Sequence, residues 1–428
     1  MQLLVRKSSL EGTVSIPGSK SHTIRALAIA SLAKGVSTIR NPLRSGDTLS
    51  AVECYRALGA TVDTKDDTAW KVTGTGGKLR QPETVIDIGN SGTCLRVALG
   101  SASLAASQQG IRFTGDEQIQ TRPISPLLDA LNDLGAQAVS EKGNGMAPVR
   151  ISGLLQGGKT SIECVTSQYL TSLLLATPLC LNDTEIDVTL LNEPDYVQMT
   201  VDWLTKQGIE YQNDGLTHFR IKGGQNYRPF DLPIPADFSS ATFFLCAGTL
   251  LGGEVTLRGL DFSDSQPDKA VAEYLQQMGA KVAIENNLVR VRGSKLRGVA
   301  IDMNGTPDAL PAMAVVGAFA EGQTTLENVP QARKKETDRI AVMATELSKL
   351  GVEVQELPDG LIVHHCPTLQ AADLNGHADH RVVMALSLAL MALDGRNSID
   401  TAEAINVTFP EFVELMKSIG ADMELRDE

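Results

Sequence analysis

Cations stand in this chain where apolar helices ought to begin. In "PGSKSHTIRAL" a lysine, Lys20, sits between Ser19 and Ser21, and Arg25 follows about one turn later. In "GNSGTCLR" Asn90, Ser91, Gly92 and Thr93 lead into Arg96, and in "ADHRVV" Asp379 and His380 lead into Arg381. Three further starts carry Thr166, Ser167 and Gln168; Asp237, Ser239 and Ser240; and Asp308. Hydroxyls and Asp are ordinary caps for the unpaired N–H groups of a first turn. Lys20, Arg96 and Arg381, placed in first turns, are not: the helix dipole repels a cation there unless an anion is held between them. Two more basic clusters lie apart, Arg122 in "QTRPI" and "ARKKETDRI" with Arg333, Lys334, Lys335, Glu336, Asp338 and Arg339. Lys335 and Arg339 are four apart and are expected to share one helix face, with Glu336 and Asp338 beside them. Such a mixture supplies both an anion clamp and a proton donor.

Other chemical signals are weaker. "GLLQGGKT", Gly153 to Thr160, matches the phosphate-loop pattern letter for letter, but "SIECV" after it reads as a strand rather than the helix that would cradle a nucleotide phosphate. It is read as a hairpin turn. His377 and His380, and His364 and His365, have no third ligand at metal spacing. The six cysteines show no C-x-x-C pair and are read as reduced, mostly buried small apolar residues of a cytosolic protein. A net charge of −13 and only 4% aromatic residues argue against a nucleic-acid surface, so any anion is bound locally. The apolar run Val382 to Leu393 falls well short of the roughly 20 residues that cross a bilayer and is expected to be a core helix.

The elements that position these residues repeat. A helical pattern ending in Gly and then a strand-like run occurs at Gly59, Gly135, Gly208, Gly279, Gly351 and Gly420, at a spacing of about 70 residues. Each glycine falls where a helix end needs a left-handed residue. Alternating apolar residues predict strands at "TVSIPG", "TVIDIG", "PVRISG", "HFRIKG", "LVRVRG" and "GLIVHH". The pattern predicts six α/β modules in two halves of three, with a boundary in the proline-rich stretch Tyr227 to Asp237, where neither strand nor helix continues easily.

In order along the chain, "PGSKSHTIRAL", "GNSGTCLR", "RPISPLLDAL", "PDA", "KKETDRI" and "DHRVVMA" resemble the enolpyruvyl transferase family, in particular its 3-phosphoshikimate 1-carboxyvinyltransferases or EPSP synthases. The likeness runs from about Gly12 to Pro410. It implies an α/β (α+β) fold of two similar domains, each of three β-α-β-α-β-β repeats, with the active site in the interdomain cleft. The implied limits are 20–230 for the domain on the shikimate 3-phosphate side, and 1–19 with 231–428 for the domain on the phosphoenolpyruvate side. The resemblance also implies a cytoplasmic monomer acting on these two small molecules, with no cofactor, no metal, no nucleic acid and no membrane partner.

By match to the same motifs, Lys20, Arg122, Arg339 and Arg381 would clamp phosphoenolpyruvate, with Gly92 and Thr93 lining its pocket. Ser21, Arg25, Thr166, Ser167, Gln168 and Lys335 would hold shikimate 3-phosphate. Asp308 would bind the ring hydroxyls and accept the 5-hydroxyl proton. Glu336, helped by Lys20, would carry a proton to and from the methylene carbon. The chain departs from the family pattern at Val407, where a phosphate-contacting lysine is usual, at Gln331, where asparagine is common, and at Glu193, where a serine commonly meets the shikimate phosphate. An acid at 193 would repel that phosphate if it pointed inward. The sister enzymes that act on UDP-N-acetylglucosamine are disfavoured by Ser21 after Lys20 and by the absence of cysteine between Cys94 and Cys164. The related RNA 3′-phosphate cyclases are disfavoured by the acidic balance, and a non-catalytic phosphosugar-binding relative is left to experiment.

Overall fold

Each of the six repeat glycines ends a helix in a left-handed conformation, with φ between 69° at Gly208 and 112° at Gly59. Behind each, the chain turns into a strand, as Ala57–Leu58–Gly59 leads to Thr61–Asp63 and Lys349–Leu350–Gly351 to Val354–Leu357. A side chain at these positions would be strained, so the spacing of the glycines sets the period of the fold.

The computed structural model describes residues 1–105 and 107–427. Among these, the strands form six four-stranded sheets. In one sheet built from four consecutive strands, Gly158–Cys164 runs parallel to Thr184–Leu191, which runs antiparallel to His218–Ile221, itself paired with Tyr211–Asp214. The helix Ser167–Ala176 makes the parallel crossover and Pro194–Gln207 follows it. This is one β-α-β-α-β-β repeat, and the other five sheets have the same pattern of one parallel and two antiparallel pairings.

The chain divides into two compact units, Gly18–Ile234 and Met1–Pro17 with Pro235–Glu428. At the two crossings the leading strands are exchanged. Gly12–Ser15, just ahead of the Lys20–Leu32 helix, pairs with Glu254–Arg258 in the sheet that follows the Phe238–Leu250 helix. Asp231–Pro233, just ahead of the Phe238 helix, pairs with Thr38–Arg40 beyond the Lys20 helix. The proline-rich boundary therefore contains a strand, contrary to expectation; Pro233 is tolerated because the strand lies at a sheet edge. The N-terminal strand Gln2–Arg6 completes the last repeat by entering between Asn397–Asp400 and Asp422–Arg426.

Each unit has its own apolar core. The helices that begin at the polar starts are buried almost all round; every residue of His380–Leu390 is buried. The amphipathic helices, such as Ser125–Asp133, bury one face and leave the other to solvent. "GLLQGGKT" is not a hairpin: Val149–Gly153 and Gly158–Cys164 belong to different sheets, and the loop joins consecutive repeats. No nucleotide cradle forms, since strand rather than helix follows Thr160. All six cysteines are unbridged, and burial pushes the thiols of Cys164 and Cys180 up to about 12. No helix among the described residues is long and apolar enough to cross a membrane.

Candidate active site

In the Gly18–Ile234 unit, Ser19 caps the Lys20 helix, accepting from the His22 N–H, so Lys20 is the first helical residue. Its ammonium pairs with Asp47 Oδ2 at 2.9 Å, and Asp47 is itself buried in the first turn of Gly46–Ala57. Asp47 was not legible as a partner, because an Asp in a first turn looks like any helix cap. One turn on, Arg25 is buried and heavily engaged. Its Nε donates to Thr200 Oγ1 at 2.9 Å, Nη1 to the Ser21 carbonyl at 3.0 Å, and Nη2 to the Tyr196 carbonyl at 2.8 Å and Thr171 Oγ1 at 3.3 Å. Burial lowers its pKa to about 10, with Tyr196 and the Glu193 carboxylate acting in the opposite direction, so it remains a cation at neutral pH. It therefore supplies charge to the site more than hydrogen bonds.

A second cationic group lies over the start of Gly92–Ala102. Arg96 and Arg122 are both buried, and a Cβ built on Gly92 would lie 2.6 Å from Arg122 Nη1 and 2.8 Å from Arg96 Nη1. Glycine is what lets both guanidinium groups approach the helix start. Arg96 is in the second turn rather than the first, because Ser91 caps the helix and Gly92 opens it. Its Nη1 donates to Gln168 Oε1 at 2.6 Å, Gln168 Nε2 donates to Thr93 Oγ1 at 3.0 Å, and Arg122 Nη2 donates to Asn90 Oδ1 at 3.4 Å. Two like charges beside the positive end of a helix dipole make a place for an anion with two acidic groups or one strong one.

Thr166 and Ser167 stand at the start of the third helix, and Glu193 points inward at them. Its Oε2 accepts from Ser167 Oγ at 2.6 Å, the Ser167 N–H at 3.1 Å and Thr166 Oγ1 at 3.2 Å. Glu193 is buried and left-handed, with φ 59°.

In the other unit, acids and bases from three separate motifs converge on Arg339. Its Nε donates to Asp379 Oδ2 at 2.8 Å, Nη1 to Asp308 Oδ1 at 2.8 Å, and Nη2 to Glu336 Oε2 at 2.6 Å and Asp379 Oδ1 at 3.2 Å. Arg381 Nη2 lies 2.9 Å from Asp308 Oδ2 and Lys335 Nζ lies 4.0 Å from Asp308 Oδ1. Burial pulls the Arg339 pKa down, but the charges of Asp379, Glu336 and Asp308 outweigh it and leave the guanidinium raised. Burial likewise pushes the Asp379 carboxyl up, and the Arg339 charge brings it below its ordinary value.

Lys335 and Arg339 do not share a helix face. Asp338 caps the helix by accepting from the Ala341 N–H, so Arg339 opens it and Lys335 lies in the turn before. They meet at Asp308 because that turn folds back. Asp308 lies in a tight turn, Pro307–Ala309, that leads into Leu310–Phe319. Arg333 is spent elsewhere, on Asp338, Glu356 and the Leu357 and Pro358 carbonyls. Gln331 is buried and donates to the Asn304 carbonyl at 2.8 Å. The fourth helix start is an ordinary cap: Asp237 accepts from Ser240, and Ser239 bonds Asp268.

Asp379 is held in place from behind. His377 and Ala378, the two residues before it, are both left-handed, with φ 54° and 52°. The buried Glu346 accepts from His377 Nε2 at 2.9 Å and from the Asn375 N–H at 3.0 Å, and Thr401 Oγ1 accepts from the Ala378 N–H at 2.9 Å. Glu346 lies two turns along the helix that Arg339 opens, so one helix fixes both the guanidinium and the loop that brings its carboxylate.

Comparison with known proteins identifies the lineage of this arrangement. The family model described as EPSP synthase (3-phosphoshikimate 1-carboxyvinyltransferase) matches residues 5–416. A 3-phosphoshikimate 1-carboxyvinyltransferase of Acetivibrio thermocellus is 54% identical over 423 residues, covering 99% of each chain. One of Ruminiclostridium cellulolyticum is 51% identical over 425 residues, covering 99% of this chain and 100% of its own. Among solved structures, an EPSP synthase of Acinetobacter baumannii superposes with a TM-score of 0.84 at 26% identity, over 99% of this chain and 100% of its own. The chain belongs to the EPSP synthase family.

Proposed function

We propose that the chain transfers the enolpyruvyl group of phosphoenolpyruvate to the 5-hydroxyl of shikimate 3-phosphate, releasing phosphate, as a step of the shikimate pathway toward aromatic amino acids. Membership of the family and relatives of that name at more than half identity support the reaction. The observation that carries the residue roles is the convergence of Asp308 and Glu336, from separate motifs, on one buried guanidinium.

Arg339 and Arg381 take the carboxylate and phosphate of phosphoenolpyruvate as bidentate donors, together with Lys20 and with Arg122 over Gly92. In doing so they exchange one carboxylate for another. Asp308, now paired with both arginines, loses two nearby cations and becomes a stronger base. It accepts the proton of the 5-hydroxyl as the oxygen attacks C2 of phosphoenolpyruvate. Glu336, helped by Lys20, delivers a proton to the methylene carbon, giving a tetrahedral intermediate. It then takes a proton back from the methyl group as the C2–O bond to phosphate breaks. Ser21, Arg25, Thr166, Ser167, Gln168 and Lys335 hold shikimate 3-phosphate, with Asp308 on its hydroxyls.

The unit Gly18–Ile234 carries most of the shikimate 3-phosphate residues; of those for phosphoenolpyruvate, Lys20, Gly92, Thr93 and Arg122 belong to it and Arg339 and Arg381 to the other unit. We place the reaction in the cytoplasm, which the unbridged cysteines support, and take the enzyme to act as a monomer. Mixing the protein with both substrates and measuring inorganic phosphate tests the reading. Release that requires both substrates is expected; normal binding of each with no release overturns it in favour of a non-catalytic binding protein.

A further inference from the structure

We propose that Glu193 is a tethered competitor for the phosphate of shikimate 3-phosphate: its carboxylate holds the donors of Thr166 and Ser167 until the substrate's phosphate displaces it. The inference rests on the assignment of Thr166 and Ser167 to that substrate.

Three observations carry it. A single carboxylate oxygen, Oε2, takes the Ser167 hydroxyl, the Ser167 N–H and the Thr166 hydroxyl, the donors that a phosphate at this helix start would need. The side chain is buried, so it is an occupant of the position and not a surface acid that happens to be near. The residue that holds these donors is also in a left-handed conformation, φ 59° and ψ 51°, which residues other than glycine seldom adopt, just before Pro194.

Two anions cannot share these donors. Arg25 does not resolve the conflict, because four of its N–H groups are already donated to Thr200, Ser21, Tyr196 and Thr171. Binding of the phosphate therefore requires Glu193 to leave, and the cost of displacing it is taken from the affinity. A ligand with the same ring and no phosphate has no reason to displace it. Glu193 thus sets the affinity for the phosphorylated substrate alone.

The test is calorimetric titration of the full chain and of Glu193→Ser and Glu193→Gln with shikimate 3-phosphate and, separately, with unphosphorylated shikimate. Glu193→Ser is expected to lower Kd for shikimate 3-phosphate by tenfold or more and Glu193→Gln by a smaller factor, with Kd for shikimate unchanged. Glu193→Gln keeps the size and reach of the side chain, and carries the test if the serine variant fails to fold. An unchanged or weaker affinity for shikimate 3-phosphate in the folded variants, or an equal gain for shikimate, overturns the proposal. A wild-type chain that neither binds shikimate 3-phosphate nor releases phosphate with both substrates refutes the functional reading, and this inference with it.

Discussion

Replacing Gly92 by alanine adds one carbon beside two guanidinium groups, Arg96 and Arg122, at the proposed phosphoenolpyruvate site. The new Cβ would lie 2.6 Å from Arg122 Nη1 and 2.8 Å from Arg96 Nη1, when ordinary contact begins near 3.5 Å. The guanidinium groups must each retreat by roughly 1 Å, which their flexible stems permit without unfolding the helix. That retreat is large against the tolerance of a charge-assisted hydrogen bond, so at least one such bond to the substrate is lost. The loss is worth about 1.5–3 kcal/mol, or roughly 10- to 100-fold in affinity. Gly92 is not left-handed and opens a helix, so alanine is tolerated by the backbone and removes chain entropy from the unfolded state. Steady-state kinetics of Gly92→Ala should show KM for phosphoenolpyruvate raised 10- to 100-fold, KM for shikimate 3-phosphate within a factor of two or so, and Tm unchanged or higher. An unchanged KM for phosphoenolpyruvate in a folded variant would refute the placement of that substrate against Arg122.

Arg339→Lys leaves one point charge to serve three carboxylates, of which Asp379 is wholly buried; chemical denaturation should show a loss of about 3 kcal/mol or more, by analogy with broken buried ion pairs. Glu346→Gln probes the support behind Asp379. Burial pushes the Glu346 carboxyl up, but Lys349, the Asn375 N–H and His377 together bring it below its ordinary value of 4.5. A depressed folded pKa means stability that is present above about pH 4.5 and is lost as pH falls toward the folded value. The glutamine variant should therefore be less stable than wild type at pH 7, with the gap closing below pH 4.5 in parallel thermal melts. Asp308→Asn should lower kcat by about 100-fold or more while shikimate 3-phosphate still binds, the range expected for loss of a general base.

Much of this arrangement was legible because it rests on local chemistry. The six repeat glycines could be found because each ends a helix in a backbone conformation that other residues resist. The helix starts could be found because cations there conflict with the dipole. What was missed depends on partners distant in sequence. The proline-rich boundary does not read as a strand, yet Asp231–Pro233 pairs with Thr38–Arg40, and nothing in a three-residue strand encodes which neighbour it meets. Asp47 and Asp379 look like caps, and Asp379 is one, accepting from the Arg381 N–H; its second duty, toward Arg339, depends on a loop held by Glu346 and Thr401. The Lys335 reading failed for a local reason. Asp338 is as good a cap as any in the chain, and capping there excludes Lys335 from the helix. Glu193 was visible as an anomaly, but that its carboxylate points at Ser167 follows from the meeting of two separate helix starts and not from its own residue type.

The central claim is that Glu336 moves a proton in the transfer and does not merely brace Arg339. Glu336→Gln keeps the shape and the acceptor that Arg339 Nη2 meets and removes the proton chemistry. Phosphate release measured with both substrates saturating should then fall by 100-fold or more, with the Kd for shikimate 3-phosphate essentially unchanged. A kcat within tenfold of wild type would contradict the account.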